Sequence, residues 1–152
     1  MHRSNRTQRF AIQILLTLSS LILFACVAGS TEKSNSSLAP ISSLPPEVQK
    51  APKAVQEAYR FAVANPEILK EIPCYCGCGA VGHTSNYACY IKDVDETGKL
   101  IYDAHALGCS ICVDITRDVM RMTAEGKSLQ EIRQVVDRTY SQYGPSNAPS
   151  IP

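Results

Sequence analysis

The sequence predicts a mainly α-helical domain of modest size with a cysteine-rich loop and a short β-hairpin. Three observations predict it. Apolar residues recur at helical spacing on both sides of a central segment, with capping residues where the periodicity starts and stops. The central segment instead packs four cysteines into sixteen residues, "CYCGCGAVGHTSNYAC", among glycines that interrupt regular structure. Between this segment and the C-terminal helices, "YACYIKDVDETGKLIYDAH" holds two short β-type runs around a turn-forming "DETGK".

Residues 1–25 read as a signal peptide. Arg3, Arg6 and Arg9 lead into an apolar run from Phe10 to Ala25, broken by Gln13, Thr17, Ser19 and Ser20. A transmembrane helix needs roughly 20 predominantly apolar residues, and this run is shorter and more polar. Its end, "LFAC", resembles the bacterial lipobox, with Leu23 at −3, Ala25 at −1 and Cys26 at +1. The resemblance implies that the Cys26 thiol takes a diacylglyceryl group and becomes an acylated N-terminus. Each buried CH₂ contributes about 0.8 kcal/mol, so several chains hold a protein to membrane lipid. The expected location is the extracytoplasmic face of the cell membrane.

Residues 26–44, rich in Ser, Pro and Ala, read as a lipidated N-terminus and flexible linker. The domain is expected at 45–144, with a disordered tail at 145–152. Beyond residue 25 remain all fourteen acidic residues and twelve of the fifteen basic ones, a net charge of −2. No basic, aromatic-interleaved stretch suits nucleic acid, and no glycine-rich loop suits phosphate.

In the domain's first half, Val55, Tyr59 and Ala62 follow helical spacing, with Ala58 and Val63 widening the stripe. Asn65 followed by Pro66 predicts an N-cap and a short second helix through Ile72. Later, Cys112, Ile115, Val119 and Met122 share one helix face, with Asp114, Arg117, Asp118 and Arg121 elsewhere. Gly126 ends that helix, and Ser128 with Glu131 forms a capping box for the next. Leu129, Ile132, Val136 and Tyr140 are its buried stripe.

Six cysteines remain besides Cys26: Cys74, Cys76, Cys78, Cys89, Cys109 and Cys112. Three disulfides are one reading of an even count in an exported chain. Bonds within Cys-x-Cys are strained, so each clustered sulfur would need a partner among Cys89, Cys109 and Cys112. Metal is the sharper reading. In an extended segment, Cys74, Cys76 and Cys78 point to one side, and Gly77 and Gly79 let the backbone turn and close the gaps between them. Cys109 and Cys112 have the two-residue spacing common in thiolate metal sites, at a helix start expected to lower thiol pKa.

Soft thiolates select Cu(I), Zn(II) or iron–sulfur clusters. A lipoprotein that leaves the cell unfolded disfavours the last. Six thiolates exceed one tetrahedral zinc site, which favours a polynuclear Cu(I) cluster, or zinc with two cysteines spare. His83 and His105 are candidate ligands, with hydrogen bonding to a loop carbonyl as the alternative. Met120 and Met122 face different ways and read as ordinary helix residues. A redox dithiol at Cys109 and Cys112 lacks the strand–helix alternation of a thioredoxin motif, and Val113 stands where c-type haem attachment requires histidine.

Taken together, "AYRFAVANPEILKEIPCYCGC", "GHTSNYACYI", "DAHALGCSICVDITRDVM" and "EGKSLQEIRQVVD" resemble the bacterial lipoproteins named for their PCYCGC motif. The resemblance implies a secreted or membrane-anchored cysteine-rich domain. The segment from Cys109 to Gly144 is also similar to the helical domain of the thiol-active subunits of cytochrome c maturation. The expected function is extracytoplasmic binding of Cu(I), or Zn(II), for capture, buffering or delivery, with a metal-delivery or thiol-redox protein as partner and no enzymatic activity. The alternatives are a thiol–disulfide oxidoreductase and a disulfide-stapled interaction module.

Overall fold

The computed structural model describes residues 37–148. Residues 1–25, read above as a signal peptide, Cys26, the start of the segment read as a linker and the end of the segment read as a tail lie outside the described residues. Among those described are five α-helices: α1 (Pro46–Gln49), α2 (Lys53–Ala64), α3 (Pro66–Leu69), α4 (Ser110–Ala124) and α5 (Leu129–Tyr140). Strands β1 (Ile91–Val94) and β2 (Leu100–Tyr102) form an antiparallel hairpin, with Val94 opposite Leu100 and an irregularity between Ile91 and Asp93. The domain is mainly α with a short hairpin, as the sequence predicts. No helix among the described residues is long and apolar enough to cross a membrane.

Helix α4 packs against both α2 and α5. It buries Cys112, Val113, Ile115, Thr116, Val119, Met122 and Thr123, while Asp114, Arg117 and Arg121 stay exposed. Its end is a Schellman turn: Gly126 at φ 76° donates its N–H to Thr123 O, and Lys127 N–H reaches Met122 O. Helix α5 opens with the capping box, Ser128 N–H donating to Glu131 Oε2 at 2.8 Å and Glu131 N–H to Ser128 Oγ at 3.3 Å. It buries Ile132, Val136 and Tyr140, with Leu129 half-buried.

Three expectations change. Asn65 stands at the start of α3, but its side chain does not cap it, donating instead to Phe61 O and Ser37 O. That helix ends at Leu69 rather than Ile72, because Glu71 and Ile72 bond three residues back in a tighter turn. Residues 37–44, read as flexible linker, are docked: Ala39 pairs with Arg60 through its N–H and carbonyl, and Leu44 is buried.

A buried polar network fixes the start of α4. Tyr90 OH donates to Cys112 O at 2.8 Å, and Asn86 Nδ2 reaches the same carbonyl at 3.3 Å. Thr116 Oγ1 donates to Asn86 Oδ1 at 2.7 Å. The early carbonyls of a helix accept from its own later N–H groups, so these extra donors tie the cysteine loop to α4 at Cys112. Tyr59 meets Tyr90 edge-on, ring centres 4.9 Å apart, below this network.

Candidate metal centre

The cysteine loop reaches its shape through a turn. The sequence suggests an extended run that presents Cys74, Cys76 and Cys78 by alternation. Instead Gly77 adopts φ 84°, a left-handed conformation that costs an L-residue roughly 1–2 kcal/mol. Cys78 then opens a 3₁₀ turn, Cys78–Val81, closed by Gly82 at φ 92°. The turn folds Cys78 back, so that the sulfurs of Cys74, Cys76 and Cys78 all lie within 4.8 Å of one another.

Across the core, Cys112 completes a triangle. The sulfurs of Cys74 and Cys76 are 3.4 Å apart, those of Cys74 and Cys112 3.4 Å, and those of Cys76 and Cys112 3.5 Å. A disulfide would place sulfurs at about 2.0 Å, and a tetrahedral ion with bonds of about 2.3 Å separates its sulfurs by about 3.8 Å. The observed edges lie far nearer the second value. Cys74, Cys76 and Cys112 are thus the residues that would hold an ion here, and as thiolates they would supply it with three soft donors.

Further donors are at hand. Cys109 stands at the N-cap of α4 and joins Cys76, Cys112 and His105 in one group with ligating atoms within 4.8 Å. His105 Nε2 lies 3.5 Å from Cys76 Sγ. On the other side, Cys89 is 3.6 Å from Cys78 and forms a group with Cys74 and Cys112. Cys78, His83 and His105 form another. All eight sequence candidates within the domain therefore belong to one continuous cluster. Cys74, Cys78, Cys89 and Cys112 are buried, whereas Cys76, Cys109, His83 and His105 are half-buried and form the side open to solvent.

The electrostatics of the metal-free cluster are uneven. Hydrogen bonds from Cys112 and then Cys89 hold the Cys74 thiol down to about 2, against the opposing effect of burial. Cys112 is pushed far up, first by sharing its proton with Cys74 and then by Cys89 and burial. Burial, followed by the negative Cys74 sulfur, raises Cys76 and Cys78. Cys89 also rises: its hydrogen bond with Cys112 lowers it, but hydrogen bonding to Cys74 and burial prevail. The expected lowering at the helix start does not hold for Cys112, because hydrogen bonding to Cys74 and Cys89, followed by burial, raises it. These directions make Cys74 the most readily ionised of the sulfurs in the triangle, with Cys76 and Cys112 raised.

Residues beyond the motif complete the site. Asn147, in the part of the chain read as a disordered tail, clasps the loop: its Oδ1 accepts from Cys74 N–H at 2.6 Å, and its Nδ2 donates to Cys78 Sγ at 3.3 Å and to Ser85 O at 3.2 Å. The tail reading is thus corrected for the residues up to 148. Gly144 makes the approach possible, since a Cβ there would stand 2.8 Å from Tyr75 O. Gly144→Ala is expected to displace this strap, costing about 1–3 kcal/mol and speeding alkylation of Cys78. Thermal unfolding and timed thiol labelling check both. Asp103, whose Oδ2 lies 3.5 Å from His83 Nε2, also borders the cluster, and as one acid among fourteen it has no motif to mark it.

These features define a small helical domain built around a cysteine–histidine cluster that can hold a metal ion. The chain belongs to the family of proteins of unknown function with a PCYCGC motif, whose model matches residues 18–152 and whose motif is residues 73–78 here. No curated protein and no solved structure matches the chain.

Proposed function

We propose that the cluster binds a soft metal ion, Cu(I) in the first instance and Zn(II) next, and that the protein captures, buffers or delivers it at the outer face of the cell membrane while tethered through acylated Cys26. The observation that carries the reading is the sulfur triangle of Cys74, Cys76 and Cys112, with edges of 3.4–3.5 Å. Three soft sulfurs satisfy Cu(I), whereas zinc asks for a fourth donor, which Cys109 or His105 is close enough to supply. The half-buried side at Cys76, Cys109 and His105 leaves a route by which an ion can pass to a partner protein that offers thiolates of its own. The lipobox-like "LFAC" supports the tether, and the negative balance of the chain beyond it suits cations.

The test takes the full chain in detergent, purified anaerobically. Reactive thiols, copper and zinc are counted on one sample before and after metal stripping. Stoichiometric metal, with about six domain thiols appearing on stripping, is the expected result. Absence of both metal and reactive thiols overturns it in favour of a disulfide scaffold. Metal-free protein with one readily reduced pair at Cys109 and Cys112 overturns it in favour of thiol exchange.

A further inference from the structure

The sulfur triangle leaves His83 unexplained. Its side chain is only 11% exposed, and Nε2 faces Asp103 Oδ2 at 3.5 Å. Its other ring nitrogen, Nδ1, is buried without a hydrogen-bond partner. A buried imidazole nitrogen with nothing to bond is costly in a metal-free protein. The neighbours within reach are Cys78 and His105, whose ligating atoms lie within 4.8 Å of one of its ring nitrogens and of each other. The rings of His83 and His105 meet edge-on with centres 5.0 Å apart. Cys89 adds a second sulfur, 3.6 Å from that of Cys78.

Asp103 is held rigidly for a surface carboxylate. Its N–H donates to Tyr90 O at 2.8 Å, and its carbonyl accepts from Tyr59 OH at 2.7 Å. Oδ1 accepts from His105 N–H at 2.7 Å, which leaves Oδ2 toward His83. One carboxylate thus holds the backbone of His105 and faces the ring of His83. A carboxylate on one imidazole nitrogen keeps the proton there and frees the lone pair of the other, as in carboxylate–histidine–metal arrangements.

Resting on the reading of the cluster as a metal centre, we propose that Cys78, Cys89, His83 and His105 form a second ion position beside the sulfur triangle. Its two-sulfur, two-nitrogen donor set suits Zn(II), with His83 ligating through Nδ1 and Asp103 as its positioning residue. Cys74, Cys76 and Cys112 are left to the triangle, with Cys109 within reach of Cys76 and Cys112. Cu(I) and Zn(II) need not compete for the same sulfurs.

The test loads the full chain in detergent with ¹¹³Cd(II), the histidine rings being ¹⁵N-labelled. Two cadmium ions per chain and two ¹¹³Cd resonances are expected, one of them coupled to His83 Nδ1. In Asp103→Asn the amide oxygen stays with His105 N–H and the NH₂ group faces His83 Nε2, so the ring proton moves to Nδ1 and blocks ligation. That variant is expected to lose the His83 coupling and to bind the second ion about 10–100-fold more weakly, with Asp103→Glu recovering most of the loss. A single ion without cadmium–nitrogen coupling overturns the second position, and coupling through Nε2 overturns the role of Asp103. Should Asp103→Asn fail to fold, as judged by circular dichroism, the couplings in the natural protein decide alone. Failure to bind either cadmium or Cu(I) overturns the metal-centre reading itself.

Discussion

Cys112→Ser is expected to weaken Cu(I) binding by more than about a hundredfold, beyond what the loss of a supporting contact costs a metal site. Cys112 stands where the cluster's parts meet. Its sulfur is an apex of the triangle with Cys74 and Cys76, and it belongs also to the groups with Cys89 and with Cys109 and His105. Serine is near in size, but its hydroxyl is a hard oxygen and a poor ligand for a soft ion. Cys109→Ser should cost nearer tenfold, because Cys109 is half-buried and belongs to one group only. The measurement is an anaerobic competition titration against a chromophoric Cu(I) chelator, with circular dichroism confirming that helix α4 survives. A thiol-exchange protein would behave differently: both residues of its dithiol would be indispensable, while Cys74, Cys76 and Cys78 would be silent. Equal, complete losses at Cys109 and Cys112 with no effect at Cys74 would overturn the metal reading.

The same geometry shows what local sequence can and cannot carry. Helix α4 was legible because Ile115, Val119 and Met122 repeat at 3.6-residue spacing and Gly126 marks the end, both being properties of neighbouring residues. The cysteines and histidines were legible as donors because few other residue types bind soft ions. Their grouping was not. Alternation puts Cys74, Cys76 and Cys78 in one set, as found, but not Cys112, which closes a triangle with Cys74 and Cys76, nor Cys89, whose sulfur stands 3.6 Å from that of Cys78. Asp103 and Asn147 carry no signature at all. One lies 20 residues after His83 and the other 73 after Cys74, and each matters only once the chain has folded. Pairing at that range depends on how α2, α4 and the hairpin pack, which no window of residues contains.

Proton release should make the affinity strongly dependent on pH, and the direction follows from the sulfurs of the triangle. Cys74 is held down to about 2, so it is ionised throughout the neutral range and releases nothing when an ion binds. Cys112 is raised, chiefly by sharing its proton with Cys74, and Cys76 is raised by burial and by the negative Cys74. Both are neutral thiols at neutral pH, and both must ionise to ligate. The metal therefore displaces two protons at the triangle, and apparent affinity rises with pH by about tenfold per unit for each. From about pH 6 to about pH 8 that amounts to some ten-thousandfold for two protons. A lower pH returns those protons and releases the ion, which is the direction a delivery protein needs if its partner binds in a more acidic setting. Isothermal titration in buffers of different ionisation enthalpy counts the protons directly. A flat profile with no proton release would mean that the thiolates are already formed without metal, and the picture of a single anionic sulfur among neutral neighbours would be wrong.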